Sequence, residues 1–222
     1  MEAAGASAAM PTLQADRPCY TPGERITFTG NGYTPSGNVN FLFTVNGKHG
    51  NQVLSAKRPT VADPAGNLRD LFDALDLAPS DDTRETVTAT ANDQTRLENE
   101  NPPTEDSFGA TTFLLSNFDI LVPPWDRGIV NPRRKVTVRA FGYEPSTKLW
   151  AHYVLGGKRV ATVFVGNLTG PCGDLTKTMR EFPFRPVRAG TYAVYFQGSR
   201  TLDRGIRTPY SKVRVSKGKA VR

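Results

Sequence analysis

Apolar and polar residues alternate with a period of two through most of this chain. Ile26 and Phe28 alternate with Thr27 and Thr29, and Val136 and Val138 alternate with Thr137 and Arg139. Val39, Phe41, Phe43 and Val45 share one face of a longer run, as do Leu149, Ala151, Tyr153 and Leu155. Such alternation predicts half-buried antiparallel strands with one face in a core and one in water. Further strands are predicted at "RVATVFVGN" (159–167), "TYAVYFQ" (191–197) and "SKVRVS" (211–216). Six or seven short strands in about 100 residues, punctuated by turns, predict a β-sandwich with Greek-key connections.

The pattern is written twice. "TPGERITFTGNGYTPSGNV" (21–39) aligns without a gap on "NPRRKVTVRAFGYEPSTKL" (131–149), so "GYTPS" returns as "GYEPS". The register runs on from "VNGK" (45–48) to "LGGK" (155–158), where Asn-Gly and Gly-Gly predict type I′ hairpin turns. "AGNL" (65–68) then matches "CGDL" (172–175), and "ETVTATAN" (85–92) matches "GTYAVYFQ" (190–197). The expected organisation is an N-terminal tail (1–10), a first domain (11–95), a polar linker (96–113), a second domain (114–216) and a basic tail (217–222). The fold class expected is all-β, with two tandem immunoglobulin-like sandwiches.

Each copy resembles a bacterial immunoglobulin-like domain of the IPT/TIG kind, in which a strand enters a "G-x-G-[FY]-x-P" turn. The residues are Gly30, Gly32, Tyr33 and Pro35, then Gly142, Tyr143 and Pro145 with Ala140 in place of the first glycine. "RAGTYAVYF" (188–196) resembles the strand that bears a tyrosine corner, with Tyr192 as the corner residue; Val87 stands there in the first copy. Val194 occupies the place of a second immunoglobulin cysteine, so no inter-sheet bridge is implied. "GPCGDL", "FPF" and "RAGTYAVYF" also resemble repeats in secreted proteins of high-GC Gram-positive bacteria.

Charge separates the copies. Residues 1–106 hold 15 Asp and Glu against 8 Lys and Arg, a net of −7; residues 107–222 hold 6 against 20, a net of +14. Unlike charge on two similar modules suggests that acidic and basic ends meet, within a molecule or head to tail between molecules. Arg133, Arg134, Lys135 and Arg139 cluster on one hairpin edge and are the expected partner contacts, with Lys158, Arg159, Arg180, Arg185 and Arg188 elsewhere. No base-reading loop accompanies them, so nucleic acid is not the expected partner. Trp150 and His152 fall on the strand face opposite Leu149 and Tyr153, which makes them candidate glycan or protein contacts; the alternative is a ring covered by "EFPFRP" (181–186).

Other chemistry finds little support. His49 and His152 lie in different copies without neighbouring ligands at zinc spacing. Asp70, Asp73, Asp76, Asp81, Asp82, Glu98, Glu100, Glu105 and Asp106 show no calcium-loop spacing and read as a solvated acidic face. No nucleophile elbow is present, so no catalytic residue, metal or cofactor is expected. Cys19 and Cys172, one per copy, leave open a bridge between domains or subunits and two buried thiols. The start "MEAAGASAAM" is not an intact signal peptide, and no apolar run is long enough to span a membrane. The expectation is a non-enzymatic extracellular or cell-surface structural protein that assembles with itself or with other structural proteins. The alternatives are a bacteriophage decoration or tail protein and a module that binds a glycan, an anionic polymer or the cell envelope.

Overall fold

The computed structural model describes residues 9–47, 50–55, 59–74, 84–99, 107–125, 130–206 and 208–216. The chain divides into two compact units, Met1–Ser116 and Asn117–Arg222. Both are immunoglobulin-like β-sandwiches, and the described residues are all-β apart from short helical turns.

In the first unit the strands are β1 (Gln14–Ala15), β2 (Cys19–Tyr20), β3 (Arg25–Gly30), β4 (Asn38–Gly47), β5 (Gly50–Ser55), β6 (Thr60–Val61), β7 (Leu68–Asp73), β8 (Arg84–Asp93) and β9 (Phe108–Ser116). They form a three-stranded sheet, β1-β3-β7, and a larger one, β2-β9-β8-β4-β5, with β6 paired to β4. In the second unit the strands are β10 (Asp119–Leu121), β11 (Lys135–Phe141), β12 (Lys148–Leu155), β13 (Lys158–Asn167), β14 (Leu175–Arg180), β15 (Gly190–Gln197) and β16 (Tyr210–Val215). These form the sheets β10-β11-β14 and β13-β12-β15-β16. The two units share one Greek-key core, with β3, β4, β7 and β8 repeated as β11, β12, β14 and β15, while the first adds β2, parallel to β9, and β6 on β4.

The repeated turn holds each sandwich in the same way. Tyr33 and Tyr143 are buried, and their hydroxyls donate to the carbonyls of Thr12 (3.0 Å) and Phe196 (3.3 Å). The matched glycines, Gly66 (φ +79°) and Gly173 (φ +65°), lay their backbone on that tyrosine. A Cβ on Gly66 would strike the Tyr33 carbonyl, and one on Gly173 would stand 2.7 Å from the Tyr143 carbonyl carbon. Only glycine combines a left-handed φ with so close an approach. The Gly66 carbonyl accepts the Tyr33 N–H (3.1 Å), and the Cys172 carbonyl accepts the Glu144 N–H (3.2 Å).

The cores use the same faces but fill them differently. Phe28 is ringed by Phe41 (5.3 Å), Phe72 (5.7 Å), Phe43 and Phe113 (both 6.0 Å). In the second unit Val138 and Ala151 stand where Phe28 and Phe41 would be, which removes two rings from the centre. Loop residues replace them. Phe182 is buried and lies 5.1 Å from Tyr153 and 4.9 Å from Tyr192, and half-buried Phe184 lies 4.9 Å from Tyr153. Tyr192 makes the expected corner: its hydroxyl donates to the Arg188 carbonyl (2.9 Å) and accepts the Arg188 N–H (3.0 Å).

Three expectations need correction. Residues 108–113 of the expected linker belong to β9, which pairs with β8 and buries Phe113 and Leu115 in the first core. The preceding stretch starts as a helix, α1 (Gln94–Asn99), capped by buried Asp93, whose carboxylate accepts the Arg96 N–H (3.2 Å) and the Thr34 N–H (2.6 Å). Arg96 returns its guanidinium to the Gly32 carbonyl (2.6 Å). This connection is thus bound to the repeated turn, because its charges bond backbone groups there. The first hairpin also differs: Asn46 and Gly47 remain in β4, with Gly47 opposite Gly50. In the second, Gly156 (φ +56°) and Gly157 (φ +78°) form the turn at the expected place. The expected tails, 1–10 and 217–222, lie outside the described residues except for Ala9 and Met10.

Gly173→Ala is expected to cost about 3–4 kcal/mol, from the left-handed φ and the collision together. Gly156→Ala, with the same φ problem but nothing within 4 Å, is expected to cost about 1–2 kcal/mol. Denaturant unfolding followed by tryptophan fluorescence checks both, since Trp125 and Trp150 both lie in the second unit.

A candidate anion-binding cleft in the second unit

The two units treat one cross-strand position in opposite ways. In the first, Arg25 on β3 faces Asp73 on β7, and their side chains approach to 3.8 Å. Next to it Glu24 pairs with Arg17 (3.3 Å) and accepts the Thr21 N–H (2.6 Å). Charge at this end of the first sandwich is locally matched. In the second unit the corresponding pair is Lys135 on β11 opposite Arg180 on β14. Like charges directly opposite one another destabilise a ladder.

Beside that pair the loop 181–187 folds inward, because Phe182 and Phe184 are drawn into the core that Val138 and Ala151 leave short. The fold of this loop encloses a cleft of about 340 Å³, lined by Pro132, Arg133, Arg180, Phe182, Pro183, Phe184, Arg185 and Val187. The Tyr153 hydroxyl donates to the Glu181 carbonyl (2.9 Å), and the Glu181 N–H donates to the Arg134 carbonyl (2.9 Å), so both walls are fixed to the sheet. The Glu181 side chain is buried and does not line the cleft. Arg133, Arg180 and Arg185 are exposed, and among the described residues none of the three pairs with a carboxylate. Three guanidiniums over an apolar floor suit an anion that also carries an apolar part.

Of the expected contacts, Arg133 lines the cleft, and Arg134 and Lys135 follow it in the turn and at the start of β11. Arg139 is exposed four residues further along the same face, opposite Thr176. Arg180 and Arg185, more than 45 residues away in sequence, complete the group. The register of β11 on β14 brings them there, and alternation alone does not predict that register. His152 requires correction, because it is fully buried and is not a surface contact. Its strand face is covered by the connection after β15, which Gln197 closes by accepting the Asp203 N–H (3.0 Å). The His152 Nε2–H donates to the Ser199 carbonyl (3.0 Å), and Nδ1 lies 3.1 Å from the Thr162 hydroxyl. Burial drives its pKa below the ordinary 6.5; the Ser199 bond opposes this, and the Arg159 charge adds to it.

Trp150 is half-buried, with its ring 5.1 Å from Phe164 and the Arg200 guanidinium 5.7 Å over it. The loop 181–186 does not cover it; that loop packs on Tyr153, on the core side. Phe164 and Tyr210 stay well exposed on the same sheet, and Tyr210 stacks on Tyr195 (5.4 Å). Among the acidic candidates, Asp70 is buried and accepts from the Thr60 hydroxyl and the Leu71 N–H, and Asp73 pairs with Arg25. Glu98 lies in α1. His49, Asp76, Asp81, Asp82, Glu100, Glu105 and Asp106 lie outside the described residues. Among the described residues no group of three His, Cys, Asp or Glu side chains is placed to hold a metal ion. Cys19 and Cys172 are both buried and both disulfide-bonded. No helix among the described residues is long and apolar enough to cross a membrane.

No protein-family model matches the chain, and no curated protein matches it. Three solved structures are similar to it at low identity. One is native E. coli alpha-2-macroglobulin, at 12% identity over 96% of this chain and 16% of that one, with a TM-score of 0.35. Another is red sea bream transglutaminase, at 13% over 96% and 32%, with a TM-score of 0.28. The third is a tetra-tandem repeat from the extending region of a large adhesion protein, at 13% over 93% and 48%, with a TM-score of 0.29. The chain spans less than half the length of each.

The buried neutral His152 makes the second unit sensitive to acid. With its folded pKa below 6.5, the unfolded chain takes up the proton first, so stability falls as pH drops below about 6.5. Urea midpoints between pH 7.5 and 5.5 are expected to fall less in His152→Asn than in the native chain. Equal slopes would contradict a buried neutral ring.

Proposed function

We propose that this protein is a non-enzymatic extracellular structural or surface protein that assembles through charge, its basic second unit docking on the acidic first unit of a neighbour. The observation that carries this reading is the contrast between the Arg25–Asp73 pair and its counterpart Lys135–Arg180. The first unit matches its charges at that position, and the second leaves them for a partner. The net −7 and +14 of the two halves supply the long-range attraction that brings such surfaces together. A heterologous contact of this kind repeats along an axis and gives open assemblies.

The oxidised state of both cysteines supports an address outside the reducing cytosol. A bridge between Cys19 and Cys172 belongs to the same proposal, as does kinship with the IPT/TIG kind of domain. A bacteriophage decoration or tail protein would use the same contact in another setting. A glycan-binding reading rests instead on the aromatic face of Trp150, Phe164, Tyr195 and Tyr210. Stacking of sugars on rings responds weakly to salt, so ionic strength separates the two.

Sedimentation velocity of the purified chain is expected to show concentration-dependent assembly at low ionic strength and reversal by about 0.5 M salt, where the Debye length is only a few ångströms. A monomer at low salt and high protein concentration would exclude assembly by charge.

A further inference from the structure

We propose that the Arg133–Arg180–Arg185 cleft receives an acidic, proline-containing peptide segment, and that the segment is residues 98–106 of a second copy of this chain. The inference rests on the assembly reading above and gives it a specific contact.

The lining defines the ligand chemistry. Arg133, Arg180 and Arg185 offer planar donors that suit carboxylates. Exposed Pro183 and half-buried Phe184, with the edges of the buried Pro132, Phe182 and Val187, offer a small apolar floor between them. A polyanion without apolar groups would leave that surface unused. Extended proline segments dock in aromatic-lined grooves of this kind, because their backbone is already ordered before binding. The ligand that fits is therefore a short peptide with carboxylates flanking proline. A cleft of about 340 Å³ accommodates a few side chains and not a long polymer run.

Two stretches of the chain have both features, "DLAPSDD" (76–82) and "ENENPPTED" (98–106), and the second has the proline pair and the more carboxylates. "ENENPPTED" (98–106) holds Glu98, Glu100, Glu105 and Asp106, no Lys or Arg, and the pair Pro102–Pro103 at its centre. It begins with the last two residues of α1 and ends before β9, in the connection between the last two strands of the first unit. The corresponding connection of the second unit, 198–209, contains Arg200, Arg204 and Arg207 against one Asp203. The segment is thus peculiar to the acidic unit, as the cleft's arginines are to the basic one. Carboxylates on both sides of the prolines would also relieve the Lys135–Arg180 repulsion at the rim.

The test titrates a fluorescent peptide of residues 94–108 into the full-length chain at low ionic strength, reading anisotropy. Native chain is expected to bind it and to lose its own assemblies as the peptide competes. Arg180→Glu places opposite charges across the β11–β14 ladder and so is expected to keep its fold, checked by circular dichroism. It should weaken peptide binding by at least about tenfold, as should Arg185→Glu on the loop. Arg139→Glu, on the same sheet but outside the cleft, should change binding by less than about twofold. A peptide with Ser at 102 and 103 should also bind more weakly. If Arg139→Glu and Arg180→Glu weaken binding equally, the cleft is not the receptor. If a sulfated oligosaccharide binds in an Arg180-dependent way and the peptide does not, the occupant is a glycan and the inference is overturned. If the peptide fails while salt-sensitive assembly persists, this inference falls and the assembly reading stands.

Discussion

A backbone segment lies against the tyrosine of a tight turn in each sandwich, and this contact sets the position of everything around it. Gly66 meets Tyr33, and Gly173 meets Tyr143, both with left-handed backbone and no room for a Cβ. The turn precedes β4 or β12 and the glycine precedes β7 or β14, so their contact ties one strand of each sheet across the gap between the sheets. Tyrosine fills the core end of that gap and sends its hydroxyl to a neighbouring carbonyl. Such a clasp tolerates little change in its own residues and leaves loops and outer faces free to diverge. That explains why "GYTPS" and "GYEPS" match while the charges around them do not.

The copies differ in packing and, with it, in surface chemistry. The second core lacks two central rings at Val138 and Ala151, and the loop carrying Phe182 and Phe184 turns inward to fill the space. Dense interiors do not leave voids of that size unfilled. With the loop drawn in, Arg185 joins Arg180 and Arg133 in the cleft lining, next to a like-charged cross-strand pair. In the first unit the equivalent pair is Arg25 with Asp73. One scaffold thus presents a matched surface and an uncompensated cationic one.

Strand-level alternation made the sandwiches legible, since each strand buries one face and the period of two survives in nearly every one. The boundary of the first domain was harder, because the acidic run 93–106 has a linker's composition while its first residues are ordered by bonds to Gly32 and Thr34. The alternation of Phe113 and Leu115 was the available signal for β9. His152 read as outward because period two assigns only the face, and a loop from 47 residues away covers that face. The cleft was legible in part: Arg133 stood out through its basic neighbours, whereas Arg180 and Arg185 join it only through sheet register. Nothing local to either segment encodes that meeting.

Function in this account lies where the copies differ, and hydrogen–deuterium exchange on the full chain tests that most directly. Dilute and concentrated protein at one low salt concentration would be compared peptide by peptide. Assembly is predicted to protect 131–135 and 180–187 in the second unit and 98–106 in the first. The equivalent turn at 21–25, with its charges already paired, should exchange equally in both samples. Protection at 21–25, or on the Trp150 face with none at 180–187, would contradict the account.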